Sequence, residues 1–351
     1  MTPMRTWLIC NHIDHHARNS GYDQLAFHVE GEPYRSGGGS RILARALPWK
    51  LLKRVPAIRT NWYNKDALRR EIEICLRILA PRGDIYHFLY PENDLRLSST
   101  WPVRFNNKIV ATFHQPPDFM EQHFQDKSCI RGLDGAVVLS SSQIPYLTRF
   151  LPENRVFLVP HGVDTKFWNP GPGVSQRAPS TFLMVGQWMR DFETAGKVVL
   201  DAAQRELGIH FRVVGPRERE EEFKRLPATE FLCGISDEDL REEYRRATAL
   251  FLPLLDSTAN NAILESMACG TPVVSTMGGC SETYLNEDCA IVVDRGDVGG
   301  LLRALLSLAD KPEKVERMGR SAREKAENFS WEIVGGMMNQ VYRKIRGRPA
   351  F

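Results

Sequence analysis

Ten short apolar runs, each four or five residues long and separated by longer amphipathic stretches, govern what this 351-residue chain can fold into. Runs this short cannot be helices, and continuously apolar ones are the strands of a parallel sheet buried on both faces by the helices between them. In the first half they are Trp7–Cys10, Ile85–Leu89, Ile109–Phe113, Ala136–Leu139 and Val156–Val159. In the second half they are Thr181–Val185, Phe211–Val214, Ala249–Leu252, Pro272–Ser275 and Ala290–Val293. Two equal sets predict two comparable α/β domains. Between them Trp168 to Ser180, rich in Pro and Gly, reads as an exposed linker over 168–180, so the expected domains are 1–167 and 181–330.

A composition 42% hydrophobic and 25% charged is that of a soluble globular protein rather than a disordered one. The apolar run at the amino terminus is too short for a signal peptide, and no window approaches the roughly 18 apolar residues of a spanning helix. Seven scattered cysteines with no Cys-x-x-Cys pair indicate neither a disulfide framework nor a zinc knuckle, and point to the reducing cytoplasm.

The net charge of +3 hides a local excess. Residues 41–70 hold nine Lys and Arg against the single acid Asp66, with Trp49, Trp62 and Tyr63 interleaved. Such a segment is a candidate contact for anionic membrane, with a solvated basic surface as the equal alternative; nucleic acid is not expected, because no recognition motif accompanies the charge. From Asn61 onward the spacing predicts a helix with Leu68, Ile72, Cys75, Leu76 and Leu79 on its apolar face.

The most informative chemistry lies between Asp256 and Glu282. Asn260 or Asn261 is placed to cap a helix over Ala262–Cys269, and Gly270 to end it in the left-handed conformation. The unpaired N–H groups from Ala259 to Ala262, with the helix dipole behind them, form a candidate diphosphate site. Helical side chains lean toward the N-terminus, so Glu265 points back at that site, where a carboxylate suits the vicinal hydroxyls of a ribose. The plain alternative makes Glu265 a solvated helix residue and Asn260 an ordinary cap.

Two further loops face the same way. Gly186 follows the strand Thr181–Val185, and Arg190 stands at the next helix start, suited to bidentate phosphate binding or else to a surface ion pair with Asp191 or Glu193. Gly234, Ile235 and Ser236 form a turn before another helix, with the backbone at Ile235 placed to flank a base.

These residues resemble glycosyltransferase family 4. The similarity is carried by Val159-Pro-His-Gly-Val-Asp164, by Gly234-Ile-Ser-Asp-Glu-Asp-Leu240 with Tyr244 and Ala247, by Glu265-Ser-Met-Ala-Cys-Gly-Thr-Pro-Val-Val274, by Gly278-Gly279 with Glu282, and by Phe329-Ser-Trp331. The resemblance implies the GT-B fold, two Rossmann-like domains facing each other across a cleft, with a last helix over 331–351 crossing back to the first domain. It also implies a retaining, metal-independent transferase that takes a sugar from a nucleotide-diphosphate donor, needs no cofactor, and passes it to an unknown acceptor hydroxyl.

On this resemblance Glu265 holds the ribose, and the family's other glutamate, eight positions earlier, is replaced by Ser257 beside Asp256. Either Asp256 takes over that role or Ser257 marks a different donor sugar. His114, at a strand end before Pro116 and Pro117, is similar to the family histidine near the donor sugar; His114 and Glu265 are the candidate catalytic residues. Gly21 is the expected phosphate-approach residue of the first half, preferred over a metal site at His12, Asp14, His15 and His16. The rival readings are a nucleotide-sugar epimerase or phosphorylase on the same fold, and a non-catalytic sugar- or partner-binding subunit.

Overall fold

The computed structural model describes residues 4–10, 19–35, 62–172 and 177–347. They form two compact units: one comprises Met1–His15, Tyr22–His161 and Glu332–Phe351, the other His16–Gly21 and Gly162–Trp331.

Each unit is built on a six-stranded, all-parallel sheet. In the first, β1 (Thr6–Ile9), β2 (Glu32–Pro33), β3 (Ile85–Phe88), β4 (Lys108–Phe113), β5 (Gly135–Val138) and β6 (Val156–Leu158) lie in the order β2-β1-β3-β4-β5-β6. In the second, β7 (Thr181–Val185), β8 (His210–Val214), β9 (Thr229–Leu232), β10 (Ala249–Leu252), β11 (Val273–Thr276) and β12 (Ala290–Val293) lie in the order β12-β11-β10-β7-β8-β9. The second is the doubly wound order in which the chain leaves its first strand in one direction and returns to its other side. The switch falls between β7 and β10, where loops diverge and leave a crevice at the strand ends.

All ten anticipated strands are present, with ends shifted by at most one residue. The two unanticipated strands, β2 and β9, are sheet edges with partly exposed side chains, so neither carries an apolar run. By contrast β3, β5, β10 and β11 are buried at every position. Fully burying each Val, Leu, Ile or Phe there contributes roughly 1.5–3 kcal/mol. Trp168, expected to open an exposed linker, is instead fully buried in the core of the second unit.

The predicted helix near Asn61 begins later, spanning Lys65–Arg77 with Asn64 as cap, and buries a different face. Leu68 and Cys75 are inside as expected, but Leu76 is 59% and Leu79 41% exposed, while Glu71 is completely buried. The reason is tertiary. The Glu71 carboxylate accepts hydrogen bonds from the Tyr63 hydroxyl, from the backbone N–H groups of Arg96, Leu97 and Ser98, and from the Ser98 hydroxyl. A carboxylate satisfied this fully is drawn inward at the expense of two leucines.

Candidate functional site

The crevice between β7 and β10 is where the second unit gathers its polar groups. Gly186, directly after β7, has φ +82°, and a Cβ there would lie 2.9 Å from Nη2 of Arg190. Glycine is therefore required twice, for the backbone and for the guanidinium that folds over it. Arg190 donates from Nε to the Val185 carbonyl at 2.9 Å and from Nη1 to the Trp188 carbonyl at 2.9 Å. Its Nη2 donates to Oδ1 of Asn260 at 3.3 Å. The expected alternative, an ion pair with Asp191 or Glu193, is not made: Asp191 caps the helix Phe192–Gln204 and Glu193 pairs with Lys197. Desolvation lowers the Arg190 pKa to about 10, which leaves it charged at neutral pH.

Asn260 is the cap of the helix Asn261–Ala268, its Oδ1 accepting from the Ala262 N–H at 3.1 Å. One oxygen thus fixes both the helix start and the guanidinium, placing a cation at the positive end of a helix dipole. Among the described residues the N–H groups of Ala259 and Asn261 donate to no protein group. The helix ends as expected, with Gly270 at φ +72°.

The loop before the helix is held from the side. Asp256 accepts at Oδ1 from the Ser257 N–H at 2.8 Å and the Gly279 N–H at 3.0 Å, and pairs with Arg295 at 3.2 Å. Ser257, buried, donates to the Ala259 carbonyl at 2.8 Å. Asp256 and Ser257 are in this way committed to tying the β10 loop to the Gly278-Gly279 turn and to itself. At Gly278, a Cβ would sit 3.3 Å from that same carboxylate oxygen.

Glu265 is 5% exposed, one turn into the helix. Its Oε2 accepts from the Tyr244 hydroxyl at 2.9 Å and its Oε1 from the Ser20 hydroxyl at 2.5 Å. Burial raises its pKa to about 7, and the two hydroxyls pull it back toward the usual range. Ile235, half-buried, lies in the turn after Gly234, whose φ is +64°. Ser236 then caps the helix Asp237–Arg246 that carries Tyr244. Gly21, φ +102°, directly follows Ser20.

His114 belongs to the first unit. Its backbone N–H donates to Oε1 of Glu92 at 2.7 Å, and its Nε2 donates to the Leu89 carbonyl at 2.7 Å, which sets the ring's proton on Nε2. The ring stacks on Tyr90 with centroids 4.6 Å apart and meets the edge of Tyr22 at 4.8 Å. Glu92 is fully buried, and burial lifts its pKa to about 7. Gln143 bonds the Phe113 and Gln115 carbonyls and so fixes the strand end from the other side.

Residue by residue, the structure brings Gly186, Arg190, Asp256, Ser257, Ala259, Asn260, Asn261, Ala262 and Glu265 to neighbouring strand ends and one helix start of the second unit. Sequence reasoning missed Ser20 and Arg295 as partners of these residues, and Glu92 and Gln143 as partners of His114 and the residues beside it. Ser20, Glu92 and Arg295 act across 22 or more positions and leave no local signature, whereas Gln143 does sit in a local pattern, the capping box with Ser140. His12, Asp14, His15 and His16 lie outside the described residues, as does the basic segment 41–61. Of the rest of that segment, Tyr63 is buried on Glu71, Trp62 packs on Phe119 at 4.9 Å, and Arg70 pairs with Asp94 at 3.5 Å. Among the described residues no helix is long and apolar enough to cross a membrane.

This arrangement coincides with a sequence match: residues 179–311 match the family described as glycosyl transferases group 1. Over these residues the chain is similar to group 1 glycosyltransferases. That stretch contains β7 to β12 and the crevice residues from Gly186 to Glu265. Across the whole chain, similarity extends to an MMP alpha-(1->4)-mannosyltransferase of Mycolicibacterium hassiacum, 29% identical over 97% of this chain and 94% of that protein. A glycogen synthase of Mycobacterium tuberculosis is 24% identical over 63% of this chain and 56% of that protein. In structure, a sucrose-phosphate synthase from Thermosynechococcus elongatus superposes with a TM-score of 0.67 at 20% identity, covering 98% of this chain and 100% of that one. The chain therefore has the GT-B fold, two Rossmann-like units each with its own parallel sheet.

Proposed function

We propose that the chain is a retaining glycosyltransferase that moves a hexosyl group from a nucleotide-diphosphate sugar to an acceptor hydroxyl. The observation that carries this reading is the Asn260 side chain, which holds the Arg190 guanidinium at the start of the helix Asn261–Ala268. A cation, two uncommitted N–H groups and a helix dipole converge on one place, the requirement for binding a diphosphate and stabilising it as a leaving group. Glu265, one turn further along, takes the ribose.

In the reaction the acceptor oxygen forms its bond to the anomeric carbon on the face from which the diphosphate departs. The bond from that carbon to the phosphate oxygen breaks, its electron pair stays on the phosphate, and the same oxygen receives the acceptor's proton. The protein then supplies orientation and charge, with Arg190 and the helix start bearing the growing negative charge. Because that charge is met by the guanidinium and backbone N–H groups, the scheme calls for no metal and no cofactor. The names of the two relatives, a mannosyltransferase and a glycogen synthase, support a hexose donor.

A thermal-shift screen of UDP-, GDP- and ADP-hexoses, followed by calorimetry with Glu265→Ala, tests the donor site; unchanged affinity in that variant sinks the ribose assignment. NMR of the product anomer tests retention. The same reading puts the enzyme in the cytoplasm, where its seven cysteines stay reduced, with residues 41–70 touching anionic lipid. Equal recovery on neutral and anionic vesicles would rule out the lipid contact.

A further inference from the structure

Both oxygens of the Glu265 carboxylate are occupied by hydroxyls of the chain itself, but by partners of very different standing. Tyr244 is permanent. It is fully buried, its ring meets Trp168 edge-on at 5.7 Å, and its carbonyl accepts from the Thr271 hydroxyl at 2.6 Å. Ser20 is half-exposed and sits in a short segment, described from Asn19 to Gly21, that belongs to the second unit.

That segment is held by a small set of polar bonds. The Asn19 backbone N–H and its side-chain Nδ2 both donate to Oδ2 of Asp237, at 3.2 and 3.0 Å. Its carbonyl accepts from Nε1 of Trp168 at 3.2 Å. These bonds set the Ser20 hydroxyl against Oε1 of Glu265. Chemically the contact is a hydroxyl donating to a carboxylate, the same bond that a ribose hydroxyl would make there.

We infer that the Ser20 hydroxyl is a stand-in for a ligand hydroxyl, occupying Oε1 of Glu265 until a nucleotide's ribose replaces it. The inference rests on the reading of Glu265 as the ribose residue. Its physical logic is that a carboxylate this buried is costly to leave without a partner on one oxygen. A hydroxyl from the chain satisfies that oxygen when the site is empty, and one hydroxyl is exchanged for another when it fills. Tyr244 keeps the carboxylate oriented throughout the exchange. The consequence is that Ser20 lowers nucleotide affinity, because only the fraction of molecules with the segment released is competent to bind. Ser20 is thus an affinity-setting residue, and the site favours ligands that bring a hydroxyl of their own.

The test is calorimetric titration of the full chain with GDP, UDP and ADP, on wild type, Ser20→Ala and Glu265→Ala, each first checked for cooperative thermal unfolding. Ser20→Ala is expected to bind the preferred nucleotide about ten-fold tighter than wild type. Equal or weaker binding by Ser20→Ala, with binding lost in Glu265→Ala, overturns the stand-in role and leaves the ribose assignment intact. Unchanged binding by Glu265→Ala, or no binding of any of the three nucleotides to wild type and Ser20→Ala alike, overturns both. Binding seen only with Ser20→Ala supports the stand-in role directly.

Discussion

Asn260 and Arg190 share a single oxygen: Oδ1 of Asn260 accepts from the helix N–H of Ala262 at 3.1 Å and from Nη2 of Arg190 at 3.3 Å. Helix capping and placement of the Arg190 cation are therefore one structural event. Asn260→Ala removes both, and should cost about 1 kcal/mol of stability as a lost cap. Asn260→Asp keeps an acceptor for the cap but puts a carboxylate on Arg190, so stability should hold while nucleotide-diphosphate affinity falls at least as far as in the alanine variant. Chemical unfolding and calorimetry on the pair check this; parallel losses of stability and affinity in the aspartate variant would contradict it.

Gly186→Ala is expected to act on the same guanidinium from below. At φ +82° the added methyl strains the backbone by about 1–2 kcal/mol, and it meets Nη2 of Arg190 at 2.9 Å. The arginine must swing away, so donor affinity should fall together with stability. A variant with reduced melting temperature but full nucleotide affinity would show that Arg190 is not part of the site.

Nucleotide affinity should depend on pH through Glu265. Its carboxyl titrates at about 7 because burial disfavours the charge, and only the ionised form accepts two ligand or protein hydroxyls. Affinity should rise as pH increases through 7 and level off above it, Arg190 remaining charged throughout. Calorimetry from pH 6 to 8.5 on wild type and Glu265→Gln checks this, with the slope expected to vanish in the glutamine variant.

A separate acid sensitivity should come from His87 in the first unit. The ring is fully buried, bonded at Nδ1 to the Tyr342 hydroxyl and at Nε2 to the Thr112 hydroxyl, both at 2.7 Å, and burial pushes its pKa down to about 3. The unfolded chain takes up this proton below pH 6.5 while the folded one does not, so stability is lost as pH falls from 6.5 toward 3. The full loss is on the order of 5 kcal/mol for this group. Glu92 and Glu265 have the opposite sign: their raised pKa values make stability fall as pH rises from 4.5 to 7. The difference between wild-type and His87→Gln unfolding curves isolates the histidine, and should shrink steadily on acidification from pH 6.5 to 4.

Much of this molecule is legible in its residues because the signals are local. Apolar runs such as Ala249–Leu252 report burial directly, and Asn260 with Gly270 brackets a helix by capping chemistry that needs no neighbour. The edge strands β2 and β9 were illegible for the complementary reason: half-exposed residues leave no hydrophobic signature. The helix near Asn64 shows the limit within one element. Its period was readable, yet its buried face was set by the Glu71 carboxylate meeting three backbone N–H groups from residues 96–98.

By itself, then, the sequence determined ten of the twelve strands of two parallel sheets and the capped helix at Asn260, since each depends on burial or on bonds a few positions long. Only the tertiary structure decided how those residues are used. It turned Arg190 onto Asn260 rather than onto the acids beside it, committed Asp256 to Gly279 and Arg295, and brought the Ser20 hydroxyl to Glu265 across 245 positions. Such pairings follow from strand order and side-chain hydrogen bonding in three dimensions, where partners are chosen by proximity after folding and leave no trace in local spacing.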